Sequence, residues 1–143
     1  MVQVLRYQIK LIALWSAFLL GLLFHTQLGL MPLFHGIDVA SSHTHEYANL
    51  TMVFSLMLLF YCIPLLLIVG VPFLNLHRGR SLNFGLTVIY TILNLIHFAL
   101  DVVVKAPGYQ LILMLILVGI GFLLNGVTYQ WMQRPKEKFA TFV

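Results

Sequence analysis

The sequence predicts an all-α integral membrane protein built as a four-transmembrane-helix bundle, and three observations lead to this fold class. Apolar residues make up 61% of the 143 residues and charged residues only 8%, whereas soluble domains carry about 45–50% and about 25%. The mean hydropathy is +0.98. Four stretches also reach the ~20 mostly apolar residues that a helix needs to cross a hydrocarbon layer about 30 Å thick. The surface of this chain is therefore expected to face lipid.

The predicted spans form a single transmembrane domain over residues 1–143. They run approximately over residues 9–30, 47–69, 82–104 and 110–129. Helices are expected because unpaired backbone groups of an open strand cost several kcal/mol each in lipid. Pro64 lies inside the second span, where it predicts a kink. Three further prolines are expected to mark the connections between helices: Pro32, Pro72 and Pro107.

The distribution of basic residues predicts the orientation. Seven of the eight lysines and arginines fall on one side of the spans, and only Lys105 falls on the other. The seven are Arg6, Lys10, Arg78, Arg80, Arg134, Lys136 and Lys138. The positive-inside rule makes their side cytoplasmic, which places both termini inside and the loop 31–46 outside. A bacterial inner membrane is the expected location, since no organellar targeting segment is apparent. The net charge of +4 then reflects orientation, and no nucleic-acid partner is expected.

Six polar residues of the third span follow helical spacing. Successive members lie four, three, four, three and four residues apart: Asn83, Thr87, Tyr90, Asn94, His97 and Asp101. At about 100° per residue their side chains share an arc of about 80°, so this polar seam is expected to face the bundle interior. Polar side chains commonly join helices through hydrogen bonds. Ionisable groups inside a span are costly and mostly mark functional sites, which singles out His97 and Asp101.

His25 and His97 form the candidate cofactor site, together with Asp101 and Asn94. His25 continues a ridge of small residues at every fourth position of the first span: Ala13, Ala17, Gly21 and Gly29. Both histidines are expected about 8–12 Å below the outer ends of their spans. Imidazoles at one depth are suited to ligate haem b, to bind a transition metal, or to hold a quinone or pigment by hydrogen bonds. Asp101, one turn from His97, is expected to orient the imidazole. Separate interhelical hydrogen bonds are the alternative.

The outer loop holds a second set of candidate metal ligands. Within twelve residues it contains His35, Asp38, His43, His45 and Glu46. Imidazole and carboxylate suit copper, zinc or iron, and no cysteine lies nearby. A polar loop with incidental histidines is the alternative. His45 and Glu46 begin like a zinc-protease H-E-x-x-H motif, but Asn49 stands in the second ligand position, so no protease is predicted.

These features predict a small membrane subunit that binds haem b or a metal (copper, zinc or iron) near the outer, periplasmic face. Its expected role is electron transfer or metal handling as an accessory subunit beside other membrane subunits. One alternative is a proton, ion or small-solute pathway along the polar seam. Another is an assembly subunit without chemistry. No nucleotide-binding glycine loop and no nucleophile elbow occurs in the sequence.

Overall fold

The structure is a computed structural model that describes residues 2–37, 50–74 and 76–134. Within these ranges the chain forms four α-helices and no strand. The helices are α1 (Val2–Phe34), α2 (Leu50–Gly70), α3 (His77–Val103) and α4 (Gly108–Met132), with a 3-10 turn over Val71–Phe73 after α2. Each α-helix is long and apolar enough to cross a membrane. The predicted all-α architecture with four such helices is confirmed.

The end of α1 differs from the prediction. Pro32 was expected in the connection, but α1 continues through it to Phe34. The helix tolerates this proline because it lies in the last turn, where its missing N–H removes a single backbone hydrogen bond. The carbonyl of Pro32 then accepts hydrogen bonds from the amides of His35 and Ile37 and closes the helix end. Pro72 and Pro107 do lie in connections.

The helices pack in the order α2, α1, α4, α3. Gly21 of α1 lies against Leu117 of α4, and Gly121 of α4 lies against Thr91 of α3. Consecutive helices run antiparallel, so α1 and α3 are parallel. The end of the bundle where α1 and α3 finish is called the distal end below, and the opposite end the proximal end. Among the described residues, α2 and α3 lack packing comparable to that of the other neighbours.

An aromatic cluster fills the middle of the bundle. Trp15 and Phe18 of α1 meet Tyr90 of α3 edge to face, with ring centroids 5.6–6.2 Å apart. The Tyr90 hydroxyl donates to the carbonyl of Phe60 in α2 at 2.7 Å. These contacts join α1, α2 and α3 at the depth of Tyr90. Elsewhere α2 and α3 pack loosely against each other.

Four of the six residues in the polar seam of α3 face inward, as predicted, whereas His97 is exposed and Asp101 is only partly buried, since α2 packs loosely against this part of α3. Asn83, Thr87, Tyr90 and Asn94 are buried. Several of these side chains bond to other helices, since Asn83 Oδ1 accepts from Trp15 Nε1 at 3.3 Å and the Thr87 hydroxyl meets that of Thr128 at 3.2 Å. Most of the seam therefore joins helices.

The small-residue ridge of α1 faces protein over only part of its length. Gly21 packs directly against the Leu117 side chain, and Gly29 lies near Gln110. Ala13 and Ala17, in contrast, are exposed. Helix α1 is rotated about its axis so that its larger side chains lie in the core, because they bury more apolar area than alanine does. These side chains are Leu11, Trp15, Phe18 and Leu22.

Candidate metal centre

Two parallel helices bring three potential ligands together toward the distal end. His25 comes from α1, while His97 and Asp101 lie one turn apart on α3. Their ligand atoms all lie within 4.8 Å of one another. The parallel course of α1 and α3 places His25 at the level of His97, and the four-residue step then brings the Asp101 carboxylate alongside both imidazoles.

The three donor atoms form a nearly regular triangle. His25 Nε2 lies 3.3 Å from His97 Nε2 and 3.5 Å from Asp101 Oδ2, and His97 Nε2 lies 3.8 Å from Asp101 Oδ2. The two rings meet edge to face with centroids 5.3 Å apart. Both Nε2 atoms therefore converge on the space beside one carboxylate oxygen.

The surroundings of the triangle are mostly apolar and partly open. The side chains of His25 and Asp101 are only 12% and 14% exposed, whereas that of His97 is 53% exposed. Asp101 is the only acidic residue in the described part of the chain. A carboxylate held in such a place needs a compensating cation or hydrogen-bond donors, and the two imidazoles are the groups placed to supply them.

Two buried nitrogen atoms beside the triangle have no hydrogen-bond partner within the described residues. They are His25 Nδ1 and Asn94 Nδ2. Asn94 precedes His97 by one turn and is itself almost completely buried. Because buried polar atoms are rarely left unpaired, these two atoms lack a partner that such groups normally have.

A cleft of about 430 Å³ adjoins the triangle on the loosely packed side between α2 and α3. His25, His97 and Asn94 contribute to its wall, and α2 supplies Phe60 and Tyr61. Tyr61 also meets Thr26 of α1 at 2.7 Å. The triangle therefore opens to the outside of the bundle through this cleft between α2 and α3.

The predicted site residues divide into three groups. His25, His97 and Asp101 come together, and Asn94 lies beside them. His35 lies exposed in the turn after α1, outside the triangle. Asp38, His43, His45 and Glu46 lie outside the described residues.

The structure also adds contacts that the sequence analysis did not name. Asp101 was expected to orient His97, but its oxygen lies slightly closer to His25 of the other helix. Tyr61 and Phe60 are also part of the site, and nothing in the apolar second span sets them apart. The sequence matches no protein-family model, no curated protein and no solved structure. The role of the site therefore has to follow from its own geometry.

Proposed function

We propose that this chain is an integral membrane protein that binds one transition-metal ion, preferably Zn²⁺, between α1 and α3 near the outer face of the membrane. His25, His97 and Asp101 are the protein ligands. The observation that carries this proposal is the convergence of two imidazole Nε2 atoms and one carboxylate oxygen within 4.8 Å.

The spacing of the donors supports a tetrahedral ion. Zinc bonds to imidazole nitrogen and carboxylate oxygen are about 2.0–2.2 Å long, which places neighbouring ligands about 3.3–3.5 Å apart. Two sides of the triangle, at 3.3 and 3.5 Å, have this length. The third, at 3.8 Å, needs a shift of only about 0.4 Å. Octahedral or square-planar geometry would draw neighbouring ligands to about 3 Å, so iron and Cu²⁺ are the less favoured candidates.

The same spacing favours a bare ion over haem. Axial imidazoles lie on opposite sides of a haem iron, about 4 Å apart if each bond is about 2.0 Å, with the macrocycle between the two rings. His25 and His97 approach to 3.3 Å with their rings edge to face. Because zinc has no redox chemistry, this supports a role in metal handling in preference to electron transfer.

Three protein ligands leave the fourth position of a tetrahedral zinc ion for water or a substrate. His97 is half exposed and the cleft adjoins it, so a ligand in the cleft can reach that position. This supports a site that exchanges its fourth ligand. A subunit that holds zinc at the outer face of a larger membrane complex fits these properties.

Membrane insertion is supported by the surface of the bundle. Its outward side chains are mostly leucine, isoleucine, valine and phenylalanine along all four helices. Arg6, Lys10, Arg78, Arg80 and Arg134 lie at the proximal end, whereas Lys105 lies at the distal end. This supports the proposed orientation with cytoplasmic termini, in a bacterial inner membrane as expected from the sequence.

A solute pathway along the polar seam receives less support. Its middle is occupied by contacts between helices, including the Trp15–Asn83 hydrogen bond and the aromatic cluster around Tyr90. Buried, well-packed side chains leave no room for a file of water. The proximal part of the seam thus joins helices, and its distal part supplies the proposed ligands. An assembly subunit would not need such ligands, so that alternative also receives less support.

Metal analysis of the purified protein tests the proposal. The protein is isolated in detergent without chelators, and we expect about one zinc per chain, with binding weakened more than about 100-fold in His97→Asn or Asp101→Asn because one of three ligands is lost. His77→Asn is the matched control, since His77 lies exposed at the other end of the same helix. It should retain the metal.

Replacement of zinc by Co²⁺ gives a second measurement. A tetrahedral Co²⁺ site produces visible absorption bands that the His97→Asn variant should lose. Metal-free protein, or equal metal loss in His77→Asn and His97→Asn, would refute the site. Retention of metal in His97→Asn combined with its loss in His35→Asn would move the site to the outer loop.

A further inference from the structure

We propose that the cleft between α2 and α3 binds the ring of a lipid-soluble quinone, which enters sideways from the hydrocarbon. This inference rests on the membrane insertion proposed above and extends the site beyond the metal. The ligand class follows from the position of the cleft, from the polar groups in its wall and from the aromatic side chains beside them.

The position of the cleft selects a lipophilic ligand. It lies where α2 and α3 pack loosely, and its α2 rim carries the exposed apolar side chains Leu56 and Met57. Its volume of about 430 Å³ falls within the range of about 300–1,000 Å³ that is common for ligand sites. His97 lies six residues before the end of α3, about 9 Å inward. A molecule that reaches it between the helices therefore has to dissolve in lipid.

The polar groups of the cleft call for a hydrogen-bond acceptor. Asn94 is almost fully buried, lines the cleft, and its Nδ2 amide group has no partner in the described part of the chain. The amide N–H group of Asn94 is a donor. A quinone carries carbonyl oxygens, which only accept.

The hydroxyl pair in the wall is already satisfied. Thr26 donates to the carbonyl of Leu22 at 3.0 Å, so Tyr61 donates to Thr26 at 2.7 Å. This bond joins α1 to α2 and fixes the Tyr61 ring beside Phe60. The two rings, with centroids 5.8 Å apart and planes at 82°, offer a flat ligand ring one aromatic face and one aromatic edge.

Other membrane molecules fit these features less well. An acyl chain would fill the apolar part but leave the Asn94 amide unpaired, at a cost comparable to a lost hydrogen bond. A phospholipid headgroup would have to bring its charge about 9 Å below the helix end, where no lysine or arginine lines the cleft among the described residues. A neutral ring with carbonyl oxygens and an alkyl tail satisfies both parts of the cleft.

Binding of radiolabelled decylubiquinone to the protein in nanodiscs tests this assignment. We expect saturable binding that Met57→Trp weakens at least about tenfold, because the larger side chain fills the cleft. Leu58→Trp is the matched control, since Leu58 is its exposed neighbour outside the cleft, and it should bind like the wild type. Asn94→Leu should weaken binding about fivefold through loss of the amide donor.

The measurement is made on zinc-loaded and zinc-free protein, with circular dichroism and zinc content recorded for every variant. Saturable quinone binding by a protein that binds no zinc would refute the metal proposal and support the quinone site. Zinc binding without saturable quinone binding would overturn the quinone site alone. Equal effects of Met57→Trp and Leu58→Trp, or equally potent displacement of the quinone by decanol, would also overturn it.

Discussion

Gly121 allows α3 and α4 to approach closely, and its replacement tests this contact. A Cβ atom at this position would lie 2.8 Å from the Thr91 hydroxyl oxygen. That hydroxyl donates to the Thr87 carbonyl and accepts from the Asn125 amide, so it cannot move without breaking hydrogen bonds. We expect Gly121→Ala to lower the free energy of unfolding by about 1–3 kcal/mol, measured by denaturation in mixed micelles.

Gly119 supplies the matched control for that measurement. It lies on the same helix, and a Cβ atom there would meet nothing within 4 Å. Gly119→Ala should therefore leave stability unchanged or raise it slightly, because alanine restricts the unfolded chain. Equal losses in the two variants would show that helix α4 does not tolerate alanine in general and that the Thr91 contact is not the cause.

At the scale of single residues, the sequence singled out three side chains that the structure brings together. His25, His97 and Asp101 stood out because ionisable side chains are rare within apolar spans. The sequence also indicated that His25 and His97 lie at the same depth in the bundle, because the rise per residue of a helix gives the distance of each from its helix end. The sequence could not predict that Asp101 lies near both imidazoles. That contact depends on side-chain rotamers and on the rotation of α1 about its axis, which are set by the packing of the whole bundle.

At the scale of elements, the sequence predicted the polar face of α3. It did not predict which side chains of α2 line the cleft. The alternating steps of three and four residues marked the inward face, because in a membrane protein polar groups turn away from lipid. Helix α2 carries too few polar side chains to indicate which side meets the cleft. The true end of α1 was also hidden, since a proline in the last helical turn resembles a proline in a loop.

The hydrogen bond between Trp15 and Asn83 is the clearest test of the proximal half of the seam. Both side chains are fully buried, and the indole N–H donates to the amide oxygen at 3.3 Å. We expect Trp15→Phe to cost about 1–3 kcal/mol, because it leaves the Asn83 oxygen buried without this donor. The measurement is again denaturation in mixed micelles.

The Asn83→Leu variant and the double variant complete a thermodynamic cycle. Asn83→Leu alone should also destabilise the protein, since it leaves the indole N–H unpaired. The double variant should lose less than the sum of the two single losses, with a coupling of about 1 kcal/mol. Strict additivity would show that the seam contributes no hydrogen-bond energy at this position and would reopen the interpretation of the seam as a solute path.

At the scale of the whole molecule, the three packed sides of the bundle and its one loosely packed side determine where chemistry is possible. The proposed zinc ligands and the cleft occur together where α2 and α3 pack loosely. The sequence predicted four helices from composition and length. It did not predict which pair would separate, since that choice depends on how the side chains of all four helices fit together.

The proposed orientation can be tested directly, because Cys62 is the only cysteine of the chain. In a Cys62→Ala background, single cysteines are placed at His35 and Lys105 at the distal end and at His77 and Arg134 at the proximal end, all four exposed. A membrane-impermeant maleimide should label the two distal positions in intact cells and the two proximal positions only after permeabilisation, because positive charge is retained in the cytoplasm. The opposite result would place the proposed zinc ligands at the cytoplasmic face, where they would meet a reducing, metal-buffered solution. Labelling of all four positions in intact cells would show that the chain does not span the membrane, and the lateral entry of a quinone would then have no physical basis.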